Sequence, residues 1–239
     1  MEETGSVRGG VNKSRRYLLG AIPVAALAVA ACGSEKSDDS AMQDEPPPPR
    51  PSTPEDAIQV LMDGNERFQK REPQIRSTAQ IDAIWGEITH SQAPFAMVLG
   101  CADSRLAPEV LFDQFVGDVF VVREAGNIAV SATNLGSLEF GHAVLKAKAL
   151  VVLGHSSCGA VDAAFTNATP GGNIQSIVDA IKPGIVGASD LDDAIVRNVR
   201  ATIDTVRKDS KLLADAEKSG ALKIAGAVYD IKTSTVRLI

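Results

Sequence analysis

The chain is poor in aromatic residues and in cysteine, and it has no surplus of basic residues. Only 4% of its 239 residues are aromatic whereas 44% are hydrophobic, so we expect a core built mainly from aliphatic side chains. Its three cysteines, Cys32, Cys101 and Cys158, are too few and too widely spaced for a disulfide-stapled scaffold. Because 24 Lys and Arg stand against 30 Asp and Glu, giving a net charge of −6 without a basic cluster, we expect no binding to nucleic acid.

Long apolar runs are missing as well. The only candidate for a membrane span, residues 17–31, is shorter than the about 20 residues that cross a bilayer, and it contains Pro23. Arg15 and Arg16 stand before this run and small residues end it, which is typical of a signal peptide over residues 1–31. We therefore predict an exported protein, periplasmic or at the cell surface.

Two features of this signal predict how the protein is exported and held. The arginine pair, followed by Tyr17 and two leucines, resembles a twin-arginine export signal. The run Val29-Ala30-Ala31-Cys32 resembles the lipobox at which bacteria attach a lipid to a cysteine. A lipid on Cys32 would be the only membrane attachment of the protein. The alternative is a general secretion signal with an unmodified Cys32.

Residues 32–53 differ in composition from the rest of the chain. They are rich in acidic residues and proline, and they cannot bury enough apolar area to fold. We predict that residues 32–53 are a disordered tether and that one catalytic domain extends over residues 54–239.

This domain alternates apolar strands with amphipathic helices. Short, continuously apolar runs are typical of strands that are buried on both faces of a parallel sheet. We predict an α/β fold with a mainly parallel central sheet flanked by helices and with a C-terminal edge hairpin. The predicted strands are 95–100, 119–122, 149–154 and 224–229, with the hairpin over 229–239. The predicted helices are 54–70, a segment around 81–88, 134–147, 159–165, 173–182 and 191–218.

Two of the predicted strands are followed by residues that can bind a metal ion. Cys101 follows the first strand, and His155 and Cys158 follow the third. Adjacent parallel strands would bring these side chains to one edge of the sheet, where two sulfurs and one imidazole suit zinc with a fourth position open to water. The alternative is that the cysteines are inert buried side chains. The presence of both motifs at strand ends favours the metal.

Asp103 and Arg105 lie two residues apart in the loop after the first strand. A carboxylate and a guanidinium at this spacing can form a bidentate pair beside the metal. The alternative is a purely structural salt bridge.

These motifs resemble those of the β-class carbonic anhydrases. Cys101-Ala102-Asp103-Ser104-Arg105 and Gly154-His155-Ser156-Ser157-Cys158-Gly159 match the two signature motifs of that family, and residues 120–127 are similar to the segment between them. The resemblance implies that Cys101, His155 and Cys158 bind zinc. It implies that Asp103 either pairs with Arg105 or moves in as a fourth zinc ligand in a closed form.

The resemblance also implies a substrate pocket, a reaction and an assembly. Gln92 falls where the family has a substrate-orienting amide, and Phe120 and Phe140 fall on the apolar pocket wall. The implied reaction is the reversible hydration of carbon dioxide to bicarbonate and a proton, by attack of hydroxide at the zinc ion. A homodimer or a higher even oligomer is implied, and the helix over 54–70 is of the kind that wraps a partner. The alternatives are a carbonyl sulfide or carbon disulfide hydrolase and a non-catalytic zinc-binding lipoprotein.

Overall fold

A computed structural model describes residues 50–239. Its centre is a five-stranded sheet with the strand order β2-β1-β3-β4-β5. The first four strands are parallel, and β5 pairs antiparallel with β4 at the edge. The strands are β1 (Ala96–Gly100), β2 (Val119–Arg123), β3 (Ala149–His155), β4 (Lys223–Asp230) and β5 (Thr235–Leu238). The predicted α/β class and the C-terminal hairpin are confirmed.

Helices connect the strands and cover the sheet. They are α1 (Pro54–Lys70), α2 (Thr78–Ile88), α3 (Pro108–Leu111), α4 (Ala132–Ala143), α5 (Gly159–Phe165), α6 (Ile174–Ile181), α7 (Leu191–Asp209) and α8 (Lys211–Lys218). Short 3-10 turns add Ala125–Asn127 and Lys182–Ile185. None of the helices among the described residues combines the length and the apolar character that a membrane crossing needs.

The sheet is buried on both faces, as its continuously apolar strands predict. Every residue of β1 and β3 is buried. Because side chains alternate across a strand, Val98 belongs to one core cluster and Leu99 to the other. α1, α5 and α6 pack on the first cluster, α4 and α8 pack on the second, and α7 contributes to both.

Three helix predictions differ from the structure. The stretch 191–218 is two helices, because Ser210 has an extended backbone and caps α8 with its hydroxyl. The helix predicted over 134–147 ends earlier, at Ala143, and α3 was not predicted. The expectation that helix 54–70 wraps a partner stays a prediction, since the structure contains a single chain. This helix buries its apolar face, including Leu61, in the core of its own domain.

The signal and lipidation predictions for residues 1–31 lie outside the described residues, and so does the predicted tether up to residue 49. Residues 50–53 are described and contact the domain. The Arg50 guanidinium donates to the Ala93 carbonyl, and the Lys148 ammonium donates to the Ser52 carbonyl. The hydroxyl of Thr53 then caps α1.

Candidate metal centre

The two signature loops meet at the carboxyl edge of the sheet. β1 and β3 are neighbours in register, with Gly100 opposite Leu153, so the residues that follow each strand lie side by side. One ligand atom each of Cys101, His155 and Cys158 lies within 4.8 Å of the others. All three side chains are buried. The predicted juxtaposition of these residues is therefore present in the fold.

Each of the three residues is held by a different element. Cys101 directly follows β1, and His155 is the last residue of β3. Cys158 is the N-cap of α5, and the left-handed backbone of Ser157, with a φ of 55°, turns the chain back toward the sheet. The ligand set therefore combines two strand ends with the start of a helix.

The imidazole of His155 is oriented to bind a cation through Nε2. Its Nδ1 lies 3.0 Å from the carbonyl of Ser156, so Nδ1 is the donor of this hydrogen bond and Nε2 is the ring nitrogen that can bind a cation. Nε2 is buried and has no hydrogen-bond partner among the described residues. Leaving such an atom unpaired costs about 1–3 kcal/mol, which a bound cation removes. This arrangement fits zinc.

The two cysteine sulfurs also indicate that a cation binds here. The neighbouring Cys158 thiol and the backbone N–H of Gly126, which donates to the Cys101 sulfur, lower the pKa of the Cys101 thiol to about 4. The neighbouring Cys101 sulfur and burial raise the pKa of the Cys158 thiol. Two like charges this close cannot both be stable alone, so a cation is needed to keep both cysteines as thiolates.

Asp103 and Arg105 form a bidentate pair beside the cluster. The Arg105 guanidinium donates to Oδ1 of Asp103 at 2.9 Å and to Oδ2 at 2.7 Å, and the Arg105 backbone N–H donates to Oδ1 at 2.9 Å. Oδ2 lies 3.9 Å from Nε2 of His155. The hydrogen bonds from Arg105 hold the pKa of Asp103 well below its usual range, so this carboxylate is ionised at neutral pH. Asp103 is thus paired with Arg105, which is the first of the two arrangements that the family resemblance implies.

Arg123 is a further residue of the site that the sequence did not reveal. It ends β2, and its guanidinium donates to the backbone carbonyls of Cys101 at 3.0 Å and of Asp103 at 2.6 Å. These bonds fix the loop that carries Cys101 and Asp103. The only signal in the sequence is that Arg123 lies in the segment 120–127, which carries part of the family resemblance.

Comparisons with known proteins agree with this geometry. A profile described as carbonic anhydrase matches residues 96–236. A carbonic anhydrase 2 of Mycobacterium tuberculosis is 39% identical over 189 residues, which is 75% of this chain and 90% of the relative. A carbonic anhydrase of Mycolicibacterium smegmatis is 37% identical over 78% of this chain and 94% of its own length.

Comparison with solved structures identifies the class of carbonic anhydrase. The Coccomyxa β-carbonic anhydrase in complex with acetazolamide has a TM-score of 0.60 and 26% identity, and the match covers 76% of this chain and 86% of that one. A tetrameric β-carbonic anhydrase of Sordaria macrospora has the same fold, with a TM-score of 0.62 at 22% identity over 77% of this chain and 97% of that one. The chain is a member of the β-class carbonic anhydrase family.

As a carbonic anhydrase, the protein is an enzyme that hydrates carbon dioxide reversibly to bicarbonate and a proton, and its cofactor is zinc. The sulfur-substrate and non-catalytic alternatives are not favoured, since the relatives that match it over most of its length are named carbonic anhydrases.

The three predicted pocket residues of this carbonic anhydrase lie away from the cluster. Gln92 is exposed and precedes β1, whereas Cys101 follows β1. Phe120 is paired with Met97, about 13 Å along the strand from Cys101. Phe120 also packs on the second core cluster, whereas Cys101 belongs to the first. The ring of Phe140 lies 6.3 Å from that of Phe120 and is 44% exposed. Within one chain, these side chains do not reach the metal ligands.

Proposed function

We propose that Cys101, His155 and Cys158 bind the zinc ion of this carbonic anhydrase and that Asp103 and Arg105 orient the reacting oxygen. The observation that carries this proposal is the buried cluster with ligand atoms within 4.8 Å of one another, in which Nε2 of His155 has no hydrogen-bond partner within residues 50–239. The Asp103–Arg105 pair lies beside the cluster, with Oδ2 of Asp103 3.9 Å from Nε2 of His155. Zinc, when bound, supplies a Lewis acid that lowers the pKa of water to near neutrality.

Asp103 acts as a hydrogen-bond acceptor in this mechanism. Its carboxylate is ionised because Arg105 holds it in that form. An ionised carboxylate beside the cluster accepts a hydrogen bond from the attacking oxygen nucleophile and directs a lone pair of that oxygen toward the carbon of carbon dioxide. The new carbon–oxygen bond gives bicarbonate, and the released proton passes to solvent or buffer.

Arg105 keeps Asp103 in this role. Two guanidinium bonds and one backbone bond hold the carboxylate in a fixed orientation. The guanidinium also lies 3.4 Å from the carbonyl of Ser157, next to Cys158. These contacts hold Asp103 on Arg105, so that it would not act as a ligand of a zinc ion held by Cys101, His155 and Cys158.

We propose further that the substrate pocket is completed by a second copy of the chain, in a homodimer or a higher even oligomer. Gln92, Phe120 and Phe140 lie too far from the cluster of their own chain to line its pocket. Apolar surface also remains uncovered, because α2 has no buried residue and Trp85 on it is 47% exposed. The relatives from Sordaria macrospora are tetrameric. In such an assembly, the partner would supply an amide that orients bicarbonate and an apolar wall that suits a gas.

Export and lipid attachment are the last part of the proposal. The signal over residues 1–31, the lipidated Cys32 and the tether up to residue 53 would place the enzyme outside the cytoplasm on a lipid anchor. Most of these residues lie outside the part of the chain that the structure describes.

The decisive experiment measures zinc content and carbon dioxide hydration together. Purified residues 32–239 should contain one zinc per chain and hydrate carbon dioxide in a stopped-flow pH-indicator assay. Chelation should abolish the activity and zinc should restore it. Cys158→Ser should lose zinc and activity together, whereas Ser156→Ala, a change beside the ligands, should keep its zinc. Zinc binding without any hydration would contradict the proposed roles of Asp103 and Arg105.

A further inference from the structure

One polar side chain interrupts the apolar stripe by which α7 packs on the domain. The buried residues of this helix include Ile195, Asn198, Val199 and Ile203, and Asn198 is 2% exposed. A buried amide is costly unless it makes hydrogen bonds, and an aliphatic residue here would serve packing alone. The amide of Asn198 donates its Nδ2–H to the carbonyl of Gly126 at 2.8 Å. The polar side chain therefore has a specific partner outside its own helix.

That partner belongs to a turn with an unusual backbone. Gly126 lies in the 3-10 turn Ala125–Asn127 with a φ of 75°, and Asn127 follows with a φ of 48°. The positive φ favours glycine at position 126, and a Cβ there would also lie 2.7 Å from Cδ1 of Ile181. Two successive left-handed residues persist only where their surroundings hold them.

The same turn contacts a proposed metal ligand. The backbone N–H of Gly126 donates to Sγ of Cys101, with 3.3 Å between nitrogen and sulfur, in a buried environment. The N–H and the C=O of Gly126 are thus both engaged, one by Cys101 and the other by Asn198. Fixing the carbonyl fixes the orientation of the turn, and with it the direction in which the N–H points.

Close packing brings α7 near enough for this contact. Gly154, the residue before His155, has no side chain, and a Cβ there would lie 2.6 Å from Cγ2 of Val199. Val199 is the residue after Asn198. The approach of the helix to β3 therefore places Asn198 beside the turn that contacts Cys101.

We propose that Asn198 is a positioning residue of the zinc site, which holds the carbonyl of Gly126 so that the N–H of Gly126 donates to the sulfur of Cys101. The inference rests on the proposed function, in which Cys101 is a zinc ligand. A hydrogen bond to a ligand sulfur orients it and stabilises the thiolate, which is the form that binds zinc. Asn198 would thus act on zinc affinity from a different helix, without touching the metal.

The test compares Asn198→Ala with Thr202→Ala. Thr202 is a second buried polar residue of the same stripe, one helical turn further along, and it serves as the matched control. Zinc affinity is measured by competition with a chromogenic chelator, on proteins whose fold is checked by circular dichroism. We expect the dissociation constant of Asn198→Ala to rise about tenfold, as for other partners that act behind a metal ligand. Thr202→Ala should retain the wild-type value.

Equal zinc affinity of Asn198→Ala and the wild type would overturn the inference and leave the proposed zinc ligands intact. Failure of the wild type itself to bind zinc would instead overturn the proposed function and the inference with it. If Asn198→Ala does not fold, Asn198→Leu, which keeps the volume of the side chain and removes its donor, takes its place in the same measurement. A wild-type zinc affinity of Asn198→Leu overturns the inference, and a weakened one supports it.

Discussion

At the scale of single residues, the Asp103–Arg105 pair distinguishes this site from a simple metal-binding cluster. Cys101, His155 and Cys158 are sufficient to hold an ion. They do not explain why a half-exposed guanidinium makes two bonds of 2.9 Å and 2.7 Å to one carboxylate at the edge of the cluster. A structural ion pair at this exposure would contribute little to stability. The pair is better explained by the chemistry of the reaction.

Arg105→Ala tests this explanation. The variant should keep one zinc per chain, because Arg105 is not a ligand, but it should lose about 10²-fold in the rate of carbon dioxide hydration. The reason is that the freed carboxylate can move to the reacting position. The rate is measured by stopped flow and the zinc by atomic absorption.

The matched control is Arg207→Ala. Arg207 makes a similar bidentate pair with Glu217, with both bonds at 2.8 Å, between α7 and α8. Its removal should leave the rate unchanged. A wild-type rate in Arg105→Ala would refute the role given to the pair.

The sequence predicted residues of the site where the signal is local. Cys101, Asp103 and Arg105 form one short motif after a strand, and His155 and Cys158 form another. Arg123 and Asn198 escaped prediction because they act on backbone carbonyls of distant segments. The contact of Asn198 with Gly126 spans 72 residues of sequence. No pattern of residue types records a contact of this kind.

At the scale of secondary-structure elements, the ends of a helix were predictable where its capping residues form a recognisable sequence motif. Thr53 and Asp56 form a capping box, Pro54 starts the helix, and α1 has the predicted bounds. The break between α7 and α8 was not predicted, because Ser210 stands among strong helix formers. Its hydroxyl caps the N–H of Leu213 and donates to Glu139 at 2.6 Å, a contact with α4 that the sequence does not show.

Ser210→Ala should therefore destabilise the domain. The change removes the cap of α8 and leaves the carboxylate of Glu139 without its donor, so we expect a loss of about 1–2 kcal/mol in the free energy of unfolding. Urea denaturation followed by circular dichroism measures it. Ser219→Ala is the control, since Ser219 is exposed at the other end of α8. Equal losses in both variants would show that Ser210 has no special part in the break.

At the scale of the whole molecule, the proposed signal over residues 1–31 leads to a testable prediction about export. Changing Arg15 and Arg16 together to Lys should abolish export, because a twin-arginine route reads the pair itself rather than its charge. Cell fractionation and immunoblotting of the full-length chain measure the outcome. Arg8→Lys, a basic residue outside the pair, is the control and should be exported normally.

The alternative signal type makes a different prediction for the same experiment. Normal export of the double Lys variant would indicate a general secretion signal. The two thiols at Cys101 and Cys158 would then meet an oxidising exterior before zinc protects them. Cys32→Ala should release the enzyme from the membrane or leave an uncleaved precursor if Cys32 carries the lipid.

The placement of the pocket residues allows the assembly to be tested through activity. If each site takes its zinc ligands from one chain and Gln92 from the other, two inactive variants can complement each other. Arg105→Ala is defective at the carboxyl edge of the sheet, and Gln92→Ala is defective at the amino end of β1. In a mixed dimer, one site then combines two defects, whereas the other site has no defect. Random re-association should restore about a quarter of the wild-type sites.

The measurement mixes the two variants after dissociation and compares the hydration rate of the mixture with that of each variant alone. No gain on mixing, in a sample that light scattering shows to contain dimers, would mean that Gln92 does not complete the site of the partner chain.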